Sequence, residues 1–116
     1  MISFITSVYE GERYLERFLL SMVNVEGVKE SEIILVVNET KTYKQDIQII
    51  NKFTDKLPLR VVSCAPESVY SSWNRGIKEA KNSLVANANL DDIIYPNYIK
   101  TMTSLTKKYK KTSLFC

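Results

Sequence analysis

Leu84-Val85-Ala86-Asn87-Ala88-Asn89-Leu90-Asp91-Asp92 starts apolar and ends in amides and carboxylates. Read as a strand from Leu84 to Leu90, it alternates so that Asn87, Asn89 and Asp91 fall on one side of a single ribbon. Asn and Asp are disfavoured in strands, and burying them without partners is costly. A polar cluster at the carboxyl end of a parallel strand is where open α/β sheets bind ligands. The same residues also suit a strand that ends in an Asn/Asp turn.

Outward from this stretch, apolar runs alternate with helical patterns, the signature of a parallel sheet with helices on both faces. Ile2 to Thr6 reads as the first strand, and Tyr14, Leu15, Phe18, Leu19 and Met22 share a helical face after it. The polar loop Asn24 to Ser31 ends that helix. Ile33 to Val37 is five apolar residues in a row and reads as a fully buried central strand. Tyr43, Ile47 and Ile50 mark a second helix, Leu59 to Ser63 a short third strand, and Val69 to Lys81 a third helix. Pro96 suits the first turn of a final helix, whose Tyr98, Met102, Leu105 and Tyr109 share a face. Ser113 to Cys116 reads as the start of a fifth strand.

The 116 residues suffice for one domain with its own core, and 45% hydrophobic and 25% charged residues describe an ordinary globular chain. The longest apolar run is too short to span a bilayer, and the first residues lack the features of a signal peptide, so a cytoplasmic location is expected. The net charge of +3 comes mainly from Lys107, Lys108, Lys110 and Lys111. Without aromatic or Arg-rich surroundings this cluster reads as a solvated helix end, and no nucleic-acid partner is expected. The absence of histidine excludes Ser-His-Asp and Cys-His catalysis and a histidine-held zinc within this chain. Three scattered glycines cannot build a dinucleotide fingerprint or a P-loop, so a nucleotide's phosphates would need a metal or side chains.

Four segments, in order over residues 2 to 105, resemble the nucleotide-binding half of the family 2 glycosyltransferases. They are Phe4 to Leu15 with its Val8-Tyr9 turn, Glu32 to Glu39, the helix segment Asn74-Arg75-Gly76-Ile77-Lys78-Glu79-Ala80, and Asn89-Leu90-Asp91-Asp92 followed by Pro96. The resemblance implies a Rossmann-like GT-A type α/β domain over residues 1–116, with a mainly parallel sheet in strand order 3-2-1-4. It implies transfer of a sugar from a nucleotide diphosphate sugar to a hydroxyl on a glycan or lipid-linked acceptor. The setting would be polysaccharide assembly in the cytoplasm, peripheral to the inner face of a membrane.

The same resemblance implies roles for single residues. Tyr9 would border the base with Ser7 nearby, and Asn38 or Glu39 would bond base or ribose. Trp73 and Asn74 fall in the donor-binding helix, and Trp73 also suits the core. Asn89 would face the sugar or ribose, and Asp91 would hold Mg²⁺ or Mn²⁺ against the diphosphate. Asp92 would be catalytic, or else cap the helix near Pro96. Asn38, Trp73 and Asn89 depart from the family's usual aspartate, arginine and aspartate, which leaves a non-catalytic nucleotide-sugar or partner-binding module as the alternative. Family members continue through an acceptor-binding half that carries the base. The 116 residues alone are therefore expected to be inactive, and, because the edge beyond the Leu84 to Leu90 strand would lack its usual cover, to self-associate or pack against a partner through the Ser113 to Cys116 end.

Overall fold

A computed structural model describes residues 2–108 and 114–115. Five strands form one sheet in the order β3-β2-β1-β4-β5. They are β1 (Ile2–Val8), β2 (Glu32–Asn38), β3 (Leu59–Cys64), β4 (Leu84–Asn87) and β5 (Leu114–Phe115), and all pairings are parallel. The order contains the expected 3-2-1-4, with β5 added outside β4. β1 takes the middle place, and β2 is interior with Ile33 through Asn38 all buried.

Helices α1 (Leu15–Val23), α2 (Tyr43–Asn51) and α4 (Tyr98–Lys108) contribute to the larger of two cores. Leu15, Phe18, Leu19 and Met22 of α1, with Ile50 of α2 and Ile99 of α4, meet Phe4, Val8, Ile33, Leu35 and Val37 of the sheet. Alternation within β1 and β2 sends Ile5, Ile34 and Val36 to the other face. There they form a smaller core with Cys64, Val85 and the half-buried Trp73 of α3 (Val69–Glu79). α3 lies close on the sheet because Gly76 has no side chain. A Cβ at that position would stand 2.4 Å from Ile5 Cγ2.

Three expectations are corrected. β4 stops at Asn87 rather than Leu90: the Ala88 N–H still bonds the Ile5 carbonyl at 2.9 Å, and then Asn89 to Asp92 turns back on itself. Asn89 and Asp91 therefore lie in a turn, not on the ribbon with Asn87. α3 ends at Glu79, two residues early, because Ala80 adopts an extended backbone with ψ 133°. The outer edge of β4 is also not left open, since Val85 and Ala86 pair with Leu114 and Phe115. Tyr109, Lys110, Lys111, Ser113 and Cys116 lie outside the described residues, so the readings made on them do too. Among the described residues no helix is long and apolar enough to cross a membrane.

Candidate functional site

Parallel strands deliver their connecting turns to one end of the sheet, and the crevice sits where the chain leaves β1 in one direction and β4 in the other. Here the carboxyl ends of β1 and β4 flank an open cleft of about 400 Å³ lined by Ser7, Tyr9, Glu10, Gly11, Tyr14, Glu67, Val69, Leu90 and Asp91. Three of the residues singled out in the sequence therefore share one cavity: Ser7, Tyr9 and Asp91. Tyr9 is 50% exposed, which leaves its ring available for stacking.

Two turns shape the walls. After β1 the chain reverses at Glu10, whose φ of 48° and ψ of 57° are left-handed, and enters a short 3-10 turn over Gly11–Arg13. Gly11 fits closely there: a Cβ would stand 3.0 Å from both Leu90 Cδ1 and Val8 Cγ1, so those side chains would have to give way. After β4, Asp92 Oδ2 accepts the Asn89 N–H at 2.9 Å, and the Asp92 N–H returns to the Asn89 carbonyl at 3.0 Å. Asp92 thus closes its own turn rather than capping α4. Arg17 of α1 ties this turn from outside by donating to the Asp91 carbonyl at 3.0 Å, and its guanidinium lies 5.1 Å from the Tyr14 ring centre. The Asp91 carboxylate makes no ion pair among the described residues.

The remaining sequence candidates sit elsewhere. Asn38 is fully buried behind the cleft and its amide is engaged internally. Its Nδ2 donates to the Val8 carbonyl at 3.1 Å and to the Ser72 hydroxyl at 3.3 Å, and its Oδ1 accepts the Glu67 N–H at 2.9 Å. Glu39 is exposed and is bound to β3 only through its backbone, its N–H reaching the Cys64 carbonyl at 2.9 Å. Trp73 packs in the smaller core and meets Tyr70 edge-on at 5.6 Å, while its buried Nε1 has no acceptor among the described residues. Asn74 opens onto a separate hollow with Ser71, Arg75 and Lys78. Asn89 is exposed beside the cleft.

Residues that the sequence did not single out complete the site. Glu67 enters the cleft from the loop before α3, held by Arg75 Nη2 at 2.7 Å, Arg75 Nε at 3.2 Å and the Ser72 hydroxyl at 3.1 Å. These bonds, the Arg75 pair first, keep its carboxyl below the usual range. Eight residues separate Glu67 from Arg75, so no local pattern announces the pair. Glu10 pairs with Lys41 at 3.6 Å on the surface. Burial pushes the Cys64 thiol up.

Burial likewise raises the Asp46 carboxyl, with the Gly11 amide and the Thr42 hydroxyl opposing the rise. A folded-state value above the unfolded one means that the native protein holds this proton more tightly. The stability contributed is full below the ordinary carboxylate range and is lost as pH rises through the raised value. Asp46→Asn should flatten that part of the stability profile, as read by denaturant midpoints collected across pH.

The cleft's lining has the carboxylates Glu10, Glu67 and Asp91 and no lysine or arginine. Glu67 and Glu10 are already paired with cations, which leaves Asp91 as the carboxylate free to meet one. Among the described residues no group of three acidic, cysteine or histidine side chains could hold a metal by itself. The donor set fits a hard divalent cation that takes one protein carboxylate and completes its shell with phosphate and water oxygens.

Known proteins agree with this architecture. Three solved structures of Staphylococcus aureus TarS, each 24% identical over 94% of this chain, superpose on it. TarS 1-349 does so with a TM-score of 0.85, TarS 1-349 in complex with UDP-GlcNAc with 0.82, and TarS with 0.80. The chain spans 33%, 32% and 20% of those chains respectively. No curated protein matches the sequence significantly. The sequence matches the family described as Glycosyl transferase family 2 over residues 3–115, nearly its full length, and with the parallel sheet and the cleft at its carboxyl edge this chain belongs to that family.

Proposed function

We propose that this chain forms the donor-binding part of a glycosyltransferase that moves a sugar from a nucleotide diphosphate to a hydroxyl acceptor in cytoplasmic glycan assembly. The observation that carries the reading is the shared cleft, whose lining includes both the half-exposed Tyr9 and Asp91, a carboxylate with no ion pair among the described residues. An aromatic face can take a nucleobase, since every base has a π-face. Asp91 would hold Mg²⁺ or Mn²⁺, and the ion, when bound, offsets the charge that develops on the leaving diphosphate. Ser7 lines the cleft and would offer its hydroxyl to the donor. Asp92 holds the Asn89–Asp92 turn and through it the place of Asp91, and Arg17 restrains the same turn from α1. The internal engagement of Asn38 supports a second reading, a non-catalytic nucleotide-sugar-binding module, because that amide is spent within the fold.

UDP and Mg²⁺ together should raise the melting temperature, and neither should do so alone. At a UDP concentration 100 times its Kd the stabilisation is about 2.7 kcal/mol. Asp91→Ala should remove the effect and leave unliganded stability within about 0.5 kcal/mol, because the residue is exposed. Asp92→Ala should cost about 1 kcal/mol, as the loss of a backbone cap does, yet keep the metal dependence. A metal-independent shift, or no shift with millimolar UDP, would contradict the donor reading. Transfer of the sugar by the whole protein would separate the enzyme from the binding module.

A further inference from the structure

Behind the cleft wall lies a carboxylate that does not line the cleft itself. Asp46, in the first turn of α2, is fully buried. Its Oδ2 accepts the Gly11 N–H at 3.3 Å and the Thr42 hydroxyl at 3.2 Å, while its Oδ1 has no partner among the described residues. The bond to Gly11 spans 35 residues and joins α2 to the turn whose Tyr9, Glu10 and Gly11 line the cleft.

That turn needs an anchor. Glu10 carries a side chain in the left-handed region, a conformation that persists only where its surroundings hold it. The Glu10–Lys41 pair is exposed, with Lys41 at 84%, and surface pairs of this kind hold little. Val8 and Leu90 crowd Gly11 and limit where it can go, but they do not satisfy its amide. The buried acceptor that does so is Asp46.

On this basis we propose that Asp46 is a positioning residue: it fixes the Gly11 amide, and with it the Tyr9–Gly11 wall on which the donor's nucleoside rests. The proposal depends on the donor reading above. The charged groups that act on Asp46 are Glu12 and Glu10 of the turn that Gly11 belongs to, both of which oppose its charge. Lys41 is occupied by Glu10, and Glu16 of α1 pairs with Lys52 at 3.9 Å.

Two measurements test the proposal. In the first, calorimetry gives the Kd of UDP with Mg²⁺ for the unsubstituted protein, Asp46→Leu and Asp46→Asn. Asp46→Leu orphans the Gly11 amide and should raise Kd at least about tenfold. Asp46→Asn keeps an oxygen that can accept both hydrogen bonds and should stay within about threefold of the unsubstituted protein. The second needs no substitution: the Gly11 amide proton, followed by NMR across pH, should report the titration of Asp46 above the ordinary carboxylate range, and Asp46→Asn should abolish that step. A merely structural Asp46 would lower the melting temperature but leave the Kd of the folded protein unmoved. An unchanged Kd in folded Asp46→Leu overturns the proposal. If the unsubstituted protein binds no UDP, the donor reading fails instead, and the Gly11 signal decides alone: an amide that ignores pH overturns the anchor, and one that follows Asp46 supports it.

Discussion

Gly76→Val is expected to destabilise the protein by at least about 3 kcal/mol, at the upper end of what overpacking a core costs. Even the first added carbon would lie 2.4 Å from Ile5 Cγ2, with Ile5 Cγ1 and Val36 Cγ2 each at 3.4 Å. Ile5 and Val36 belong to interior strands and are fully buried, so neither can swing into solvent. α3 would have to lift off the sheet, taking Trp73 with it. Valine's better helix propensity returns only a few tenths of a kcal/mol. For a domain of this size the melting temperature should fall by about 10 °C or more. A fall of less than about 3 °C would mean that α3 rides loosely on the sheet.

The second large effect is at Asn38. Asn38→Ala should cost about 3 kcal/mol, because it orphans the Val8 carbonyl and the Glu67 N–H together, and each unsatisfied buried group costs about 1–3 kcal/mol. The Ser72 hydroxyl oxygen also loses the Asn38 Nδ2 donor inside the fold. These contacts join the end of β1, the end of β2 and the loop before α3, so the loss should appear as a lower denaturant midpoint with an unchanged slope. A cost below about 1 kcal/mol would show that water replaces the amide without difficulty. Such a result would reopen the position to a ligand.

Asn38 also marks where the sequence stops being informative. The run Ile33 to Val37 announces a buried strand through its own composition, and the residue after such a strand sits at the carboxyl edge where ligands bind. Whether it faces the ligand or the interior depends on Glu67 and Ser72, about thirty residues away, and no local pattern encodes that. The strands were legible because apolar runs and helical periodicities alternate cleanly along the chain, whereas their order was implied by the family resemblance alone. The length of β4 was not: alternation carries on through Asn89, but pairing needs a partner, and the ladder to β1 ends where the Ala88 N–H meets the Ile5 carbonyl.

At the site the division is similar. Ser7, Tyr9 and Asp91 lie at or just beyond strand ends, so the topology alone brings them to one cleft. Trp73 and Asn74 lie on neighbouring faces of one helix, and that helix packs the first into the smaller core and turns the second toward a different hollow. Asp46 drew no notice because one carboxylate in the first turn of a helix is ordinary, favoured there by the helix dipole. Its meaning lies in the bond to Gly11, which only the folded chain forms.

The central claim is that the cleft between the ends of β1 and β4 receives a nucleoside diphosphate, and amide chemical-shift mapping with UDP and Mg²⁺ tests it most directly. The expected perturbations centre on Ser7, Tyr9, Gly11, Leu90 and Asp91, which line the cleft. The hollow at the opposite end of the sheet, lined by Glu32, Leu59, Arg60, Lys81 and Asn82, should stay unchanged. Perturbations centred on that second hollow, or none at a saturating UDP concentration, would contradict the account.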